Sequence, residues 1–156
     1  MIRQAVGADI PRLGELLEEI YQLHAQLRPD FLRPDGSRKY SDEDLEQLLT
    51  ESDKPIFVYE DESQQVQAYL FCQLQESKGH ATLTDRRVLY IDDLCVAEEV
   101  RGQGIGEALM DFAQDLARQK GCSKLTLTVW NDNTGALRFY EGLGMTPFRT
   151  MMELDV

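Results

Sequence analysis

The sequence predicts an α/β domain built on one mixed sheet flanked by helices, and two observations carry that prediction. Two apolar segments between residues 55 and 75 are separated by an acidic turn and read as a hairpin, which pairs antiparallel. From residue 88 onward, strand-like and helix-like segments alternate, which brings parallel neighbours into the same sheet. A chain of 156 residues and 17.9 kDa is read as one domain, residues 1–156, because domains most often run to roughly 100 to 150 residues. Its 42% hydrophobic and 28% charged residues suit a buried core and exclude a mainly disordered chain.

Each element has its own signal. Residues 2–6 (Ile-Arg-Gln-Ala-Val) alternate apolar and polar, the mark of a half-buried strand. From Asp9 to Leu27 the apolar positions Ile10, Leu13, Leu16, Leu17, Ile20, Leu23 and Leu27 recur at helical spacing, and Arg28-Pro29 ends the run. Residues 28–40, with Pro29, Pro34 and Asp35-Gly36, read as a loop that lies near a working site or is mobile. Ser41 opens a second helix with Asp44 as its capping-box partner and Leu45, Leu48 and Leu49 as its apolar face. Pro55 starts the strand Ile56–Tyr59, Glu60-Asp61-Glu62-Ser63 reverses it, and Val66–Leu74 returns beside it. Residues 76–86 are polar and loop-like. Val88–Val96 is an apolar run broken by Asp92-Asp93. A glycine-rich turn then leads into a helix over Ile105–Gln119, stopped by Gly121. A strand over Leu125–Trp130, a short helix over Asn133–Gly142 and a final strand over Met145–Leu154 complete the chain.

Composition narrows the function classes. Sixteen Lys and Arg against 28 Asp and Glu give a net charge of −12, which speaks against nucleic acid as a partner because phosphate neutralisation needs bases. No stretch reaches the roughly 20 apolar residues of a membrane span, and Met1-Ile2-Arg3-Gln4 lacks the apolar core of a secretion signal. A cytoplasmic protein with no membrane partner is expected. Cys72, Cys95 and Cys122 form neither a CxxC pair nor a set with His24 and His80, so no metal site is expected and the thiols read as packed side chains.

Arg101-Gly102-Gln103-Gly104-Ile105-Gly106 joins a strand to a helix. Glycines let successive N–H groups converge on an anion, and the helix N-terminus adds a favourable dipole, so a phosphate-bearing ligand is the first expectation. A P-loop fails because no Gly-Lys-Ser/Thr follows, and the dinucleotide fingerprint fails because the spacing is GxGxG. This Arg-x-x-Gly-x-Gly turn after Val96 resembles the pyrophosphate loop of the GNAT superfamily of acyl-CoA N-acyltransferases. Asn133, Ala136, Phe139-Tyr140 and Gly144 are similar to that family's second signature. The family usually carries an aromatic residue after the last glycine, where this chain has Met145.

The resemblance implies a central mixed, mostly antiparallel sheet of six to seven strands with about four helices, splayed between strands 4 and 5. It implies acetyl-CoA as cosubstrate, with its pyrophosphate on Arg101, Gly102, Gln103, Gly104, Ile105 and Gly106 and its pantetheine arm along Leu94, Cys95 and Val96. Asn133 matches a position that contacts the same arm; a plain helix cap is its other reading, and the two are compatible. Acetyl transfer to an amine needs a proton acceptor, because an alkyl ammonium has a pKa of about 10.4. Asp92 is favoured on the resemblance and Asp93 is the alternative; in a regular strand only one of them faces the acceptor. Tyr140 matches the tyrosine that protonates the departing thiolate, and a core aromatic is its other reading. The oxyanion is expected on an N–H near Val96.

For the acceptor the resemblance points to His24, Arg28, Phe31 and Tyr40 beside the acid-rich second helix. Those acids favour a cationic primary amine, either a small one of polyamine or aminoglycoside type or a basic peptide or protein, and the resemblance implies direct acetylation in a ternary complex. Asp92-Asp93 followed by Cys95-Val96 is also similar to diamine acetyltransferases. A homodimer is compatible with the sequence. The competing reading is an acyl-CoA-binding module without catalysis.

Overall fold

The computed structural model describes residues 1–156. Its sheet has the order β1-β2-β3-β4-β5, formed by Ile2–Gln4, Ile56–Glu60, Val66–Ser77, Arg86–Val96 and Lys124–Leu127. The first three pairings are antiparallel and β4 pairs β5 in parallel, as a hairpin followed by a helical crossover requires. Four helices flank it: α1 (Ile10–Leu27), α2 (Asp42–Leu48), α3 (Ile105–Gln119) and α4 (Thr134–Gly142). None is long and apolar enough to cross a membrane.

The sheet separates two apolar layers. Tyr69, Phe71, Cys95 and Val58 face α1 and α2, where they meet Leu13, Leu16, Leu17 and Leu45. Ala68, Leu70, Cys72, Leu89 and Ile91 face α3, where they meet Ile105, Leu109, Met110 and Ala113. Period-2 alternation along β3 supplies both layers from one strand. The α1 layer is closed at one end by the buried Asp9, whose carboxylate accepts from Arg3 at 2.8 and 3.0 Å and from the Val6 amide at 2.8 Å.

The sheet has five strands, not six or seven. β5 stops at Leu127 rather than Trp130, and residues 145–156 form no strand. Pro147 lacks the N–H that a ladder needs, and the edge open to this segment, β5, is only four residues long. Phe148, Met151, Met152 and Leu154 are left exposed as a result. The first strand also ends early, at Gln4, where Asp9 captures the Val6 amide.

A loop of fixed shape joins α1 to α2. Gly14 on α1 has no side chain where the Arg38 guanidinium lies, and Arg38 pairs with Asp42. Gly36 leaves the same kind of space for the Tyr21 hydroxyl, which donates to the Arg33 carbonyl. The Ser41 hydroxyl accepts from the Asp44 amide at 3.1 Å, and Asp44 in return accepts from the Ser41 amide at 2.8 Å. This capping box fixes the residue before it, Tyr40, whose ring stacks on Phe71 of β3 at 5.6 Å and 12°. Ser41→Ala is therefore expected to destabilise the protein by about 1 kcal/mol, seen as a lower midpoint in chemical denaturation.

Candidate active site

The most consequential irregularity in the sheet lies in β4. Phe71 pairs with Asp93 and Cys72 with Ile91, so Asp92 is an extra residue with no partner on β3. Such a bulge re-aims side chains. Leu89 and Ile91 before it, and Leu94 and Val96 after it, all belong to the α3 layer. Asp92 and Asp93 consequently both point to the α1 and α2 side, which corrects the expectation that only one of them would.

Asp92 accepts from the Tyr40 hydroxyl at 2.6 Å and from Lys39 Nζ at 2.9 Å. With Tyr40, Leu48, Lys54, Phe71, Cys72 and Gln73 it lines an open pocket of about 220 Å³. Asp93 is half-buried, and loss of solvent pushes its pKa up to about 6. Lys39 opposes that shift, while the neighbouring Asp92 charge adds to it. The Tyr69 hydroxyl, fully buried, lies near enough to Asp93 for each to shift the other's titration. It nevertheless meets no group in hydrogen-bonding geometry.

The bulge also marks the end of β4–β5 pairing, which runs only from Val88 with Lys124 to Ile91 with Leu127. From Asp92 to Val96 the outer edge of β4 has no strand beside it, as the expected splay between strands 4 and 5 requires. Tyr140 of α4 packs half-buried against the α3 layer. Burial, followed by the charges of Asp93 and Cys95, pushes its pKa up to about 12, so the phenol keeps its proton at neutral pH. The Cys95 thiol is also pushed up to about 12 by burial and points at the Leu16 carbonyl, 3.7 Å away, so it is not offered to a ligand.

Beyond the free edge, Gly102 (φ 76°) and Gly104 (φ 80°) adopt the left-handed conformation that glycine tolerates, and Gly104 caps α3. No backbone N–H from Gly102 to Glu107 donates within the protein, and Gly102, Gln103 and Gly104 are exposed. These amides, at the N-terminus of a 15-residue helix, form a cradle for an anion. Ile105 buries its side chain below the cradle. Gly106 has a packing duty, since a Cβ there would lie 3.1 Å from the Phe139 ring. The Arg101 guanidinium turns away from the amides: Nε donates to the Val96 carbonyl at 2.9 Å and the terminal nitrogen pairs with Glu19. It braces the turn from below.

Asn133 accepts from the Ala136 amide at 3.2 Å and so caps α4, with its own amide group left over. The four acceptor candidates fall into two groups. Tyr40 joins Asp92, and His24 has its pKa lowered by burial and by the nearby Lys39 charge. Arg28 and Phe31 instead surround Trp130, at 5.6 and 5.1 Å, where Arg28 pairs with Asp30, Asp132 and Glu153. Of the four acids of α2, Asp42 pairs with Arg38 and Asp44 with Ser41. Lys39, Tyr69, Phe71 and Trp130 carried no motif in the sequence. Phe71 comes opposite Asp93 only through the β3–β4 register at the bulge. No group of three or more His, Cys, Asp or Glu side chains is arranged to hold a metal ion.

Residues 17–145 match the model of the acetyltransferase (GNAT) family. Thialysine N-epsilon-acetyltransferase of Bos taurus is 41% identical over 58 residues, 37% of this chain and 34% of that protein. The matched stretch thus spans about a third of the curated relative's length. The tetramutant of the BH1408 protein from Bacillus halodurans superposes with a TM-score of 0.95 at 27% identity, over 100% of this chain and 99% of that one. An aminoglycoside N-acetyltransferase, AAC(6')-Iy, solved in complex with CoA, shares the fold at a TM-score of 0.72 and 16% identity, over 100% and 93% of the two chains.

The pKa of Asp93 has a consequence for stability. Its folded value, about 6, lies above the ordinary 3.8. Between these values the folded chain binds the proton more tightly, so stability from this group is present at low pH and lost as pH rises through about 6. Asp93→Asn is expected to raise the melting temperature at about pH 7.5 and to leave it nearly unchanged at about pH 4. Equal effects at both would show that burial of the charge is not what matters.

Proposed function

Because the chain belongs to the acetyltransferase (GNAT) family, we propose that it transfers an acetyl group from acetyl-CoA to a primary amine by direct attack within a ternary complex. The observation that carries this reading is the continuity of three features: the amide cradle at Gly102–Glu107, the strand-free edge of β4 from Asp92 to Val96, and the carboxylate pair at the end of that edge. The cradle fits a pyrophosphate, and main-chain groups at the free edge fit the amides of a pantetheine arm. Cys95, paired with Tyr69, turns its amide and carbonyl toward β3, and the Val96 carbonyl is already taken by Arg101, so Leu94 and the Val96 amide are left to pair with the arm. Asn133, with its amide group unspent, is the side chain available on the opposite wall.

When bound, acetyl-CoA supplies an activated acyl carbonyl and a thiolate leaving group. The amine's proton is assigned to Asp93, whose pKa near 6 lies closer to neutrality than that of an ordinary carboxylate. Asp92, held by Tyr40 and Lys39, orients the acceptor. Reversing the order favoured on resemblance follows from this difference in surroundings. Tyr140 gives its proton to the thiolate, and Arg101 acts as a positioning residue for the cradle. A relative named for acetylating thialysine supports an amine as acceptor.

A panel of primary amines with acetyl-CoA and a free-thiol readout tests the reading. CoA binding without turnover of any amine would favour a binding module. Tyr140→Phe is expected to lower kcat by about 10² to 10⁴ with CoA affinity retained. In the wild type kcat/KM should fall as pH drops below about 6, and Asp93→Asn should flatten that limb while lowering kcat. For the cradle, Gly104→Asn keeps a residue type that tolerates positive φ, and a Cβ there meets nothing within 4 Å. Calorimetry should show CoA affinity lost while the melting temperature is nearly kept.

A further inference from the structure

The acceptor side of the site already holds a cation. Lys39 Nζ donates to the Asp92 carboxylate at 2.9 Å and to the Asp92 carbonyl at 3.3 Å, and it stands 5.3 Å from the centroid of the Tyr40 ring. A carboxylate, a carbonyl and an aromatic face together satisfy a primary ammonium by charge, hydrogen bonding and quadrupole. The Lys39 side chain is 46% exposed against 22% for Asp92, so the lysine is the partner that solvent and solutes can reach. A separate feature of the same face points to a ligand: the Tyr69 hydroxyl, fully buried beside Asp93, has no hydrogen-bond partner. A polar group entering next to the carboxylates would give it one.

We propose that Lys39 occupies the seat of the acceptor's ammonium group, and that the acceptor is a primary amine on an unbranched alkyl arm that displaces Lys39 from Asp92. The inference rests on the transfer reading above and narrows its acceptor class. A lysine side chain presents an ammonium on a flexible apolar stem. The adjoining pocket, walled by Tyr40, Leu48 and Phe71, offers apolar surface to the methylenes of a similar arm. Displacement exchanges one ammonium for another, so the charge of the seat is conserved when the acceptor binds. The cost falls on affinity, since a seat filled by a tethered occupant binds in proportion to the fraction of time it stands open.

Two measurements on the full chain test this, with cadaverine as probe. Lys39→Met keeps a comparable stem and removes the ammonium. KM for cadaverine should fall about tenfold, as expected if the seat is open about a tenth of the time, with the change carried by KM, whereas Lys39→Arg should resemble the wild type. In the wild type without acetyl-CoA, cadaverine should speed the labelling of Lys39 by an amine-reactive acylating reagent, mapped by mass spectrometry, relative to Lys120. Faster labelling without thiol release from any amine would uphold the seat and sink the transfer reading. Thiol release with KM unchanged or raised in Lys39→Met, or Lys39 labelling unaffected or slowed by cadaverine, would overturn the seat.

Discussion

One additional residue in β4 governs the arrangement of the site. With Phe71 opposite Asp93 and Cys72 opposite Ile91, the strand gains Asp92 relative to its neighbour. The alternation of side chains shifts by one at that point. Apolar residues continue to fill the α3 layer on both sides of the shift, so the core tolerates it. The two residues at the shift share the opposite face, and both are acids. Pairing with β5 ends at Ile91, one residue earlier, so the same place in the sheet yields a carboxylate pair and a free strand edge. A regular strand would have sent one of the two carboxylates into the α3 layer, at a desolvation cost that nothing there repays.

Adjacent and identical in type, the two acids differ because of what surrounds them. Asp92 meets Lys39 and Tyr40 and accepts two hydrogen bonds. At Asp93 burial, helped by the neighbouring Asp92 charge, outweighs the opposing Lys39 charge, so its protonated form is favoured. Unequal environments of this kind assign unequal roles to paired carboxylates. Burial on opposite sides of the sheet keeps Tyr140 protonated and Cys95 inert, which leaves the phenol as a proton donor and the thiol without nucleophilic character.

The sequence was most informative where local signals and packing agreed. Leu13, Leu16 and Leu17 recur at helical spacing and are fully buried, and Ser41 with Asp44 forms the capping box that their types and spacing foretell. The glycine turn was legible because a left-handed backbone at Gly102 and Gly104 needs glycine. Met145–Leu154 misled because a strand needs an edge long enough to pair with, and β5 offers only four residues. The carboxylate pair was visible but its geometry was not: a bulge is a mismatch between two strands, and neither strand alone encodes it. Lys39 was hidden for a related reason, since its partner lies 53 residues away.

The acceptor side therefore depends on a segment with little regular structure of its own. Lys39 and Tyr40 end the loop between α1 and α2, and long loops are ordinarily mobile. This one is held at several points: Arg38 over Gly14, the Tyr21 hydroxyl over Gly36, and the capping box at Ser41. Two of these anchors require a missing side chain. A glycine inside α1 weakens the helix, by up to roughly 1 kcal/mol relative to alanine, and here the vacated space receives a guanidinium that fixes the loop. The stacking of Tyr40 on Phe71 then places its hydroxyl on Asp92, the bulged residue. Helix α1, the loop and the irregular strand thereby converge on one carboxylate, although no single one of them would place an acceptor by itself.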